Sequence, residues 1–215
     1  MSAPTSDTPW EPLAPRAVAD LFAGSPARWW LSGGAALDAW LGEPIRERTN
    51  IDVSTTAKDL PALLGGIPAG CSAWVTADEE PVRWGEHDPD GEVQPVRLRD
   101  DATGAWVLQV NVEDGIDRAW LYRRDPRLQL PWDRAVLDID GIPTGAPEVQ
   151  LVWKALRPRP EDEVDKDAVL PRLSEDAVAF YETALLRIHP HSTWAIHVRS
   201  PFAPAKASWN RKKPQ

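Results

Sequence analysis

A run of bulky residues that halts at two glycines constrains this chain more than any other feature. Arg28-Trp29-Trp30-Leu31-Ser32 half-alternates in character and predicts a strand, which Gly33-Gly34 stops. From Ala35 the spacing turns helical, with Leu37, Trp40 and Leu41 on one face and Gly42 placed as the C-terminal cap. A strand feeding straight into a helix brings free backbone N–H groups and the helix's positive end to one point, which suits a phosphate, and the Ser32 hydroxyl offers a further donor. The tight turn alone explains the glycines equally well.

A second strand is expected at Asn50-Ile51-Asp52-Val53-Ser54. Residues two apart in a strand share a side, so Asn50 and Asp52 face one way while Ile51 and Val53 enter the core. Two polar side chains beside a Gly-Gly junction form the layout in which paired carboxylates hold magnesium against a triphosphate. Elsewhere the pattern predicts a short helix through Val18, Leu21 and Phe22 that closes at Gly24, and a helix capped by Thr56 and Asp59 that ends near Gly65-Gly66. Strands are expected at residues 72–76, 93–98 and 105–112, with polar turns near 88–91 and 100–104. After Pro143 and Pro147 the chain reads as helix, with Val149, Val152, Trp153 and Leu156 on one face. A second helix opens at Ser174 and runs to Pro190, and His189-Pro190-His191 forms the turn that ends it. The fold class is therefore α/β (α+β), with strands and helices first and helices later. The expected divisions are a loose N-terminus over residues 1–15, an α/β domain over 16–145, a helical subdomain over 146–198 and a basic tail over 199–215.

Charge and composition exclude several classes. The net charge of −9 makes a general nucleic-acid binder unlikely among partners, and no apolar run is long enough to cross a membrane. One cysteine, Cys71, cannot form an internal disulfide, and the N-terminus has no signal-peptide pattern, so a cytoplasmic protein is expected. The four histidines have no zinc-site spacing.

The sequence resembles the nucleotidyltransferase superfamily, in particular the aminoglycoside-2''-adenylyltransferase-like group of small bacterial proteins. The resemblance rests on Gly33-Gly34, Asp38 and Arg46-Glu47-Arg48-Thr49-Asn50-Ile51-Asp52. It continues through Trp120-Leu121-Tyr122-Arg123-Arg124-Asp125-Pro126, Asp140-Gly141-Ile142-Pro143, Ala146-Pro147-Glu148-Val149-Gln150-Leu151, Lys154-Ala155 and Arg159-Pro160 with Asp162 and Asp165. It implies a nucleotidyltransferase-type mixed sheet flanked by helices, with a helical C-terminal portion. It further implies Mg²⁺ as cofactor, ATP or another nucleoside triphosphate as substrate, and a hydroxylated small molecule as acceptor. In the family, two carboxylates on one strand and a third on its neighbour hold the metals, and the third takes the acceptor's proton.

The chain departs from that pattern. Asn50 replaces the first aspartate and Arg48 the histidine, so Asp52 alone remains of the pair, and Gln109 falls where the third carboxylate is expected. An amide oxygen brings no charge and cannot act as a general base. The candidate catalytic residues are Asp52, Asn50, Gln109 and Glu113, the last as a substitute carboxylate on the same strand face. The metal ligands would be Asp52 and Asn50. Ser32, Gly33, Gly34, Lys154 and Arg159 are the candidates for holding the nucleotide, and a structural ion pair is expected between Asp38 and Arg46. Trp29, Trp84 and Trp132 are either core or a stacking face for a base. Two functions remain open: transfer of a nucleoside monophosphate, AMP in the first instance, to a hydroxyl of a small molecule, or a non-catalytic member of the fold that binds ligands or partners.

Overall fold

Consecutive buried residues, as at Trp29–Ser32, require a sheet covered on both faces, and the elements are arranged accordingly. The computed structural model of the chain describes residues 4–5, 7–77, 80–86 and 95–200. In chain order the elements are α1 (Pro15–Leu21), β1 (Trp29–Ser32), α2 (Gly33–Leu41), β2 (Asp52–Thr56), α3 (Leu60–Gly65), β3 (Cys71–Ala77), β4 (Glu80–Arg83), β5 (Val96–Asp100) and β6 (Trp106–Ile116). There follow β7 (Ala119–Leu121), β8 (Gln129–Pro131), α4 (Trp132–Ala135), β9 (Val136–Ile139), β10 (Ile142–Gly145), α5 (Pro147–Lys154), α6 (Pro160–Val169), α7 (Glu175–Ile188) and α8 (Thr193–Arg199).

The strands lie in the order β4-β3-β5-β6-β2-β1-β10-β9, while β7 pairs with the far end of β6 and β8 with β7. The sheet is mixed: β1 runs parallel to β10 and β2 parallel to β6, and the other neighbours are antiparallel. Period two sorts its side chains. Trp29, Leu31, Ile51, Val53, Leu108 and Val110 join Val18 and Phe22 of α1's region and Leu60 and Leu63 of α3 in one core. Trp30, on the opposite face, joins Leu37 of α2, Val149 and Val152 of α5, and Tyr181 and Leu185 of α7 in a second. Alternation sends Ser32, Asp52, Ser54, Gln109, Asn111 and Glu113 to that second face, beneath α5. Trp30 is 1% exposed, so cutting it to alanine costs about 3–5 kcal/mol.

The first helix, the strand–Gly-Gly–helix junction and the α5 and α7 helices lie where the sequence places them. Gly42 caps α2 at φ 76°, and the Ser174 hydroxyl accepts the Ala177 N–H at 3.3 Å. Strand β2 is shifted two residues along the chain from the expected 50–54 and begins at Asp52. The pairing of Ser32 with Asp52 is the last of the β1–β2 ladder, so Asn50 precedes the strand with no ladder partner. Residues 9–13, expected to be loose, are instead pinned beside β6: Glu11 and Leu13 donate backbone N–H bonds to the carbonyls of Trp106 and Val107 at 2.9 and 3.0 Å. The strand expected at 93–98 lies at Val96–Asp100 as β5, and residues 93–94, the turn at 88–91 and the tail from 201 fall outside the described residues. No helix among the described residues is long and apolar enough to cross a membrane.

Candidate functional site

The junction of β1 with α2 and the start of β2 meet at Gly33. Its φ of +62° is left-handed, and a Cβ there would lie 2.8 Å from Asp52 Oδ2. A side chain at Gly34 would in turn collide with the Arg48 guanidinium. The two glycines thus permit a carboxylate and a guanidinium to reach the first turn of α2. The Gly33 N–H is already occupied, donating to Gln150 Oε1 at 2.8 Å.

Asp52 is ringed by amides. Gln109 Nε2 donates to its Oδ1 at 2.8 Å, Asn111 Nδ2 to the same oxygen at 3.5 Å, and Asn50 Nδ2 to Oδ2 at 3.1 Å. The parallel register sets this up by placing Gln109 beside Asp52 and Asn111 beside Ser54. Burial pushes the Asp52 carboxyl above its ordinary range, opposed by the three amides and the charge of Lys154. Asn50, although outside the strand, does share the side of Asp52.

Beside this ring lies a network of ions. Arg48 grips Asp38 with two bonds of 2.8 and 2.6 Å and reaches Asp165 through Nη1 at 2.9 Å. Arg46 grips Asp165 through Nε and Nη2, both at 3.0 Å, and Lys154 Nζ lies 3.0 Å from Asp165 and 2.6 Å from Asp162. The expected pairing of Asp38 with Arg46 is therefore corrected: Asp38 pairs with Arg48, and Arg46 turns to Asp165 of α6. Three cations converge on Asp165 because its side chain is fully buried and needs compensation. Burial opposes ionisation of Asp162, but hydrogen bonds from Arg159 and Lys154 hold its carboxyl down at about 2. Lys154 is nearly buried, with 10% of its side chain exposed, whereas that of Arg159 is 62% exposed.

Glu113 belongs to the other end of the same face. It sits in register with Thr56, four residues beyond Gln109, and is 3% exposed. Its Oε2 accepts the indole N–H of Trp120 at 2.5 Å and that of Trp153 at 3.1 Å, so it is held by two tryptophans and is not among the hydrogen-bond partners of Asp52. Burial raises its carboxyl above the ordinary range, against bonds from Ser54 and the two indoles. Between the ends runs a cleft of about 350 Å³ lined by Ser32, Ser54, Asn111, Glu113, Gln150, Trp153 and Lys154. Ser32 Oγ and Gln150 Nε2 are buried there without a hydrogen-bond partner.

The family model described as aminoglycoside-2''-adenylyltransferase matches residues 16–127, just over half of the chain. The chain belongs to this family. No curated protein matches it. Solved structures do: the crystal structure of ANT(2'')-Ia in complex with adenylyl-2''-tobramycin, at 17% identity and a TM-score of 0.43, covers 88% of this chain and 95% of that one. The lincomycin-bound lincosamide antibiotic adenylyltransferase LnuA, at 14% identity and a TM-score of 0.47, covers 79% and 94%. An antigenic nucleotidyltransferase-like protein from Paracoccidioides brasiliensis, at 16% identity and a TM-score of 0.40, covers 85% and 89%.

As an adenylyltransferase-family member the chain is nucleotidyltransferase-like in fold and general function, and the family implies a nucleoside triphosphate and a divalent metal. The residues present do not fit a metal pair. Among the described residues no three His, Cys, Asp or Glu side chains come together as a metal site, and the oxygens of Asp52 are engaged by amide N–H groups. Magnesium takes hard, mostly anionic oxygen ligands, and here one carboxylate stands among neutral amides. Of the tryptophans considered for stacking, Trp29 lies in the first core and Trp132 carries the Arg28 guanidinium 4.1 Å from its ring centroid, whereas Trp153 is the one on the cleft. Gln150 and Trp153 were legible as neighbours of Lys154 on one helical face, and Ser54 and Asn111 by period two from Asp52 and Gln109. Asp162 and Asp165 carried no such signal, because their role depends on α6 folding back onto α2.

Proposed function

We propose that the chain is a ligand-binding member of the family whose cleft takes a nucleoside triphosphate, ATP in the first instance, together with a hydroxylated small molecule, and that transfer through a metal pair has been given up. One observation carries this reading: Asp52 stands at the start of β2 against Gly33, but its partners are Asn50, Gln109 and Asn111. Of the charge that a nucleotidyltransferase centre carries, Asp52 alone is left among amides. A neutral amide at 109 cannot take a proton from an acceptor hydroxyl, and Glu113, fixed by two indoles, is committed elsewhere. Lys154 and Arg159 stand at the edge of the cleft as groups for the phosphates. The lone Cys71 suits a reducing compartment such as the cytoplasm.

The rival reading, transfer of AMP to a hydroxyl, is favoured by the retention of Asp52 beside Gly33. Two measurements separate them. Calorimetric titration with ATP is expected to show binding, and a pyrophosphate-release assay over a panel of hydroxylated acceptors is expected to stay at background with and without magnesium. Rapid magnesium-dependent release that Asp52→Ala abolishes would establish the transferase instead.

A further inference from the structure

The carboxylates that would gather metal ions are replaced by amides, yet the site is not short of cations. A pocket of about 90 Å³ opens beside Gly33 and Gly34, and its charged lining is Arg46, Arg48, Lys154 and Arg159 against Asp52 and Glu161. Of the carboxylates that balance these cations, Asp38 and Asp165 are not part of that lining, whereas Glu161, 3.3 Å from Arg159, is, and Asp162 lines the adjoining cleft. Among the described hydrogen bonds, Arg48 uses its Nε–H and one N–H of Nη2 on Asp38 and donates through Nη1 to both oxygens of Asp165, which leaves one N–H of Nη2 for a ligand. Lys154 uses two of its three N–H groups on Asp162 and Asp165. Ser32, 3% exposed at the N-cap of α2, makes no cap bond, and its buried hydroxyl lines the adjoining cleft without a partner. The pocket and the cleft share Gly33, Lys154 and Arg159, so the polar pocket opens onto the more apolar cleft at the start of the helix.

We propose that this surface binds the polyphosphate of its ligand without a divalent metal, the positive charge coming from the chain itself through Lys154, Arg48 and their neighbours. This rests on the nucleotide reading above and deepens it. In a metal-dependent site the protein supplies anions and the metal bridges them to the phosphates. Here the anions are reduced to Asp52, whose charge Lys154 and three amides already offset. A dication placed there would have to displace the amides and face the ammonium. Guanidinium and ammonium groups bind phosphate oxygens directly.

The test is calorimetric titration of the full chain with ATP and with tripolyphosphate, in EDTA and in millimolar magnesium, for wild type, Arg159→Gln and the double variant Asn50→Asp with Gln109→Glu. Wild type is expected to bind in EDTA at least as tightly as in magnesium, because magnesium neutralises part of the ligand's charge. Arg159→Gln, at a side chain 62% exposed, should weaken binding in EDTA by about fivefold, the scale of one exposed charge. The double variant should reverse the order and bind better with magnesium. Binding by wild type only when magnesium is present would overturn this inference and leave the nucleotide reading standing. Absence of binding in both buffers would overturn both.

Discussion

Two carboxylates on neighbouring strands, Asp52 and Glu113, lie on the same face of the sheet and are stabilised in different ways. Asp52 is ringed by three amides beside a cluster of ion-paired arginines and a lysine, and it stands at a pocket whose charged lining is mainly cationic. Glu113 is sealed by two indole N–H groups within an aromatic cluster that includes Tyr122, whose ring lies 4.5 Å from that of Trp153. One end of the cleft is a set of charges with N–H groups to spare, and the other is saturated. A carboxylate whose every neighbour is a fixed donor is a structural element, while unspent donors beside a pocket are the mark of a ligand surface.

The largest effect that would break this contrast lies beneath the cationic end. Asp165→Ala leaves Arg46, Arg48 and Lys154 without their shared counter-charge, and removal of one partner from a buried ionic cluster costs about 3–5 kcal/mol. Urea denaturation should show a loss of that size. At the saturated end, Trp120→Phe keeps the aromatic packing but withdraws an N–H from a buried carboxylate, so about 1.5–3 kcal/mol should be lost. A double-mutant cycle with Glu113→Gln would show coupling between the two positions, and additivity would mean that the indoles pack but do not hold the charge.

A smaller effect sharpens the contrast through pH. Burial raises the carboxyls of Asp52 and Glu113, so the folded state holds their protons more tightly than the unfolded chain, and their contribution to stability grows as pH falls from neutral towards their unfolded values near 4. Asp162 has the opposite sign. Its value is lowered from 3.8 to about 2, so its stabilisation is complete above the unfolded value and is lost as pH falls from about 4 to about 2. Thermal melts should therefore rise on mild acidification and fall below about pH 4. Glu113→Gln should flatten the rise and leave the fall unchanged.

Much of this was readable in the residues. The junction at Ser32-Gly33-Gly34 and the shared side of Asn50 and Asp52 were read from a strand-to-helix break and period two, and the placement of Gln109 beside Asp52 was implied by the family resemblance. The family likeness adds which of those positions ordinarily carry charge. Short strands were harder. Strands β9 and β10 are four residues each, and the signal that could have revealed them is Asp140-Gly141, whose φ values of 52° and 76° make the two-residue hairpin turn between Ile139 and Ile142. Helix α6 carries Pro160 at its first turn followed by Glu161, Asp162 and Glu163, a start signal that the departure from apolar periodicity obscured. The ion network was illegible because its members are brought together across 119 residues, as with Arg46 and Asp165, and charge alone does not choose between Arg46 and Arg48 as the partner of Asp38.

On the proposed reading, Asp52 is an anion among the chain's own cations rather than the anchor of a metal. Asp52→Asn tests this most directly, since an asparagine keeps the shape and removes the charge, its Oδ1 still accepting from Gln109 and Asn111 while the bond from Asn50 is lost. Calorimetric titration of this variant with ATP in EDTA should show binding several times tighter than wild type, because one negative charge beside the phosphates is gone. Loss of nucleotide binding in the variant, or binding in either protein that depends on magnesium and on the Asp52 carboxylate, would contradict it.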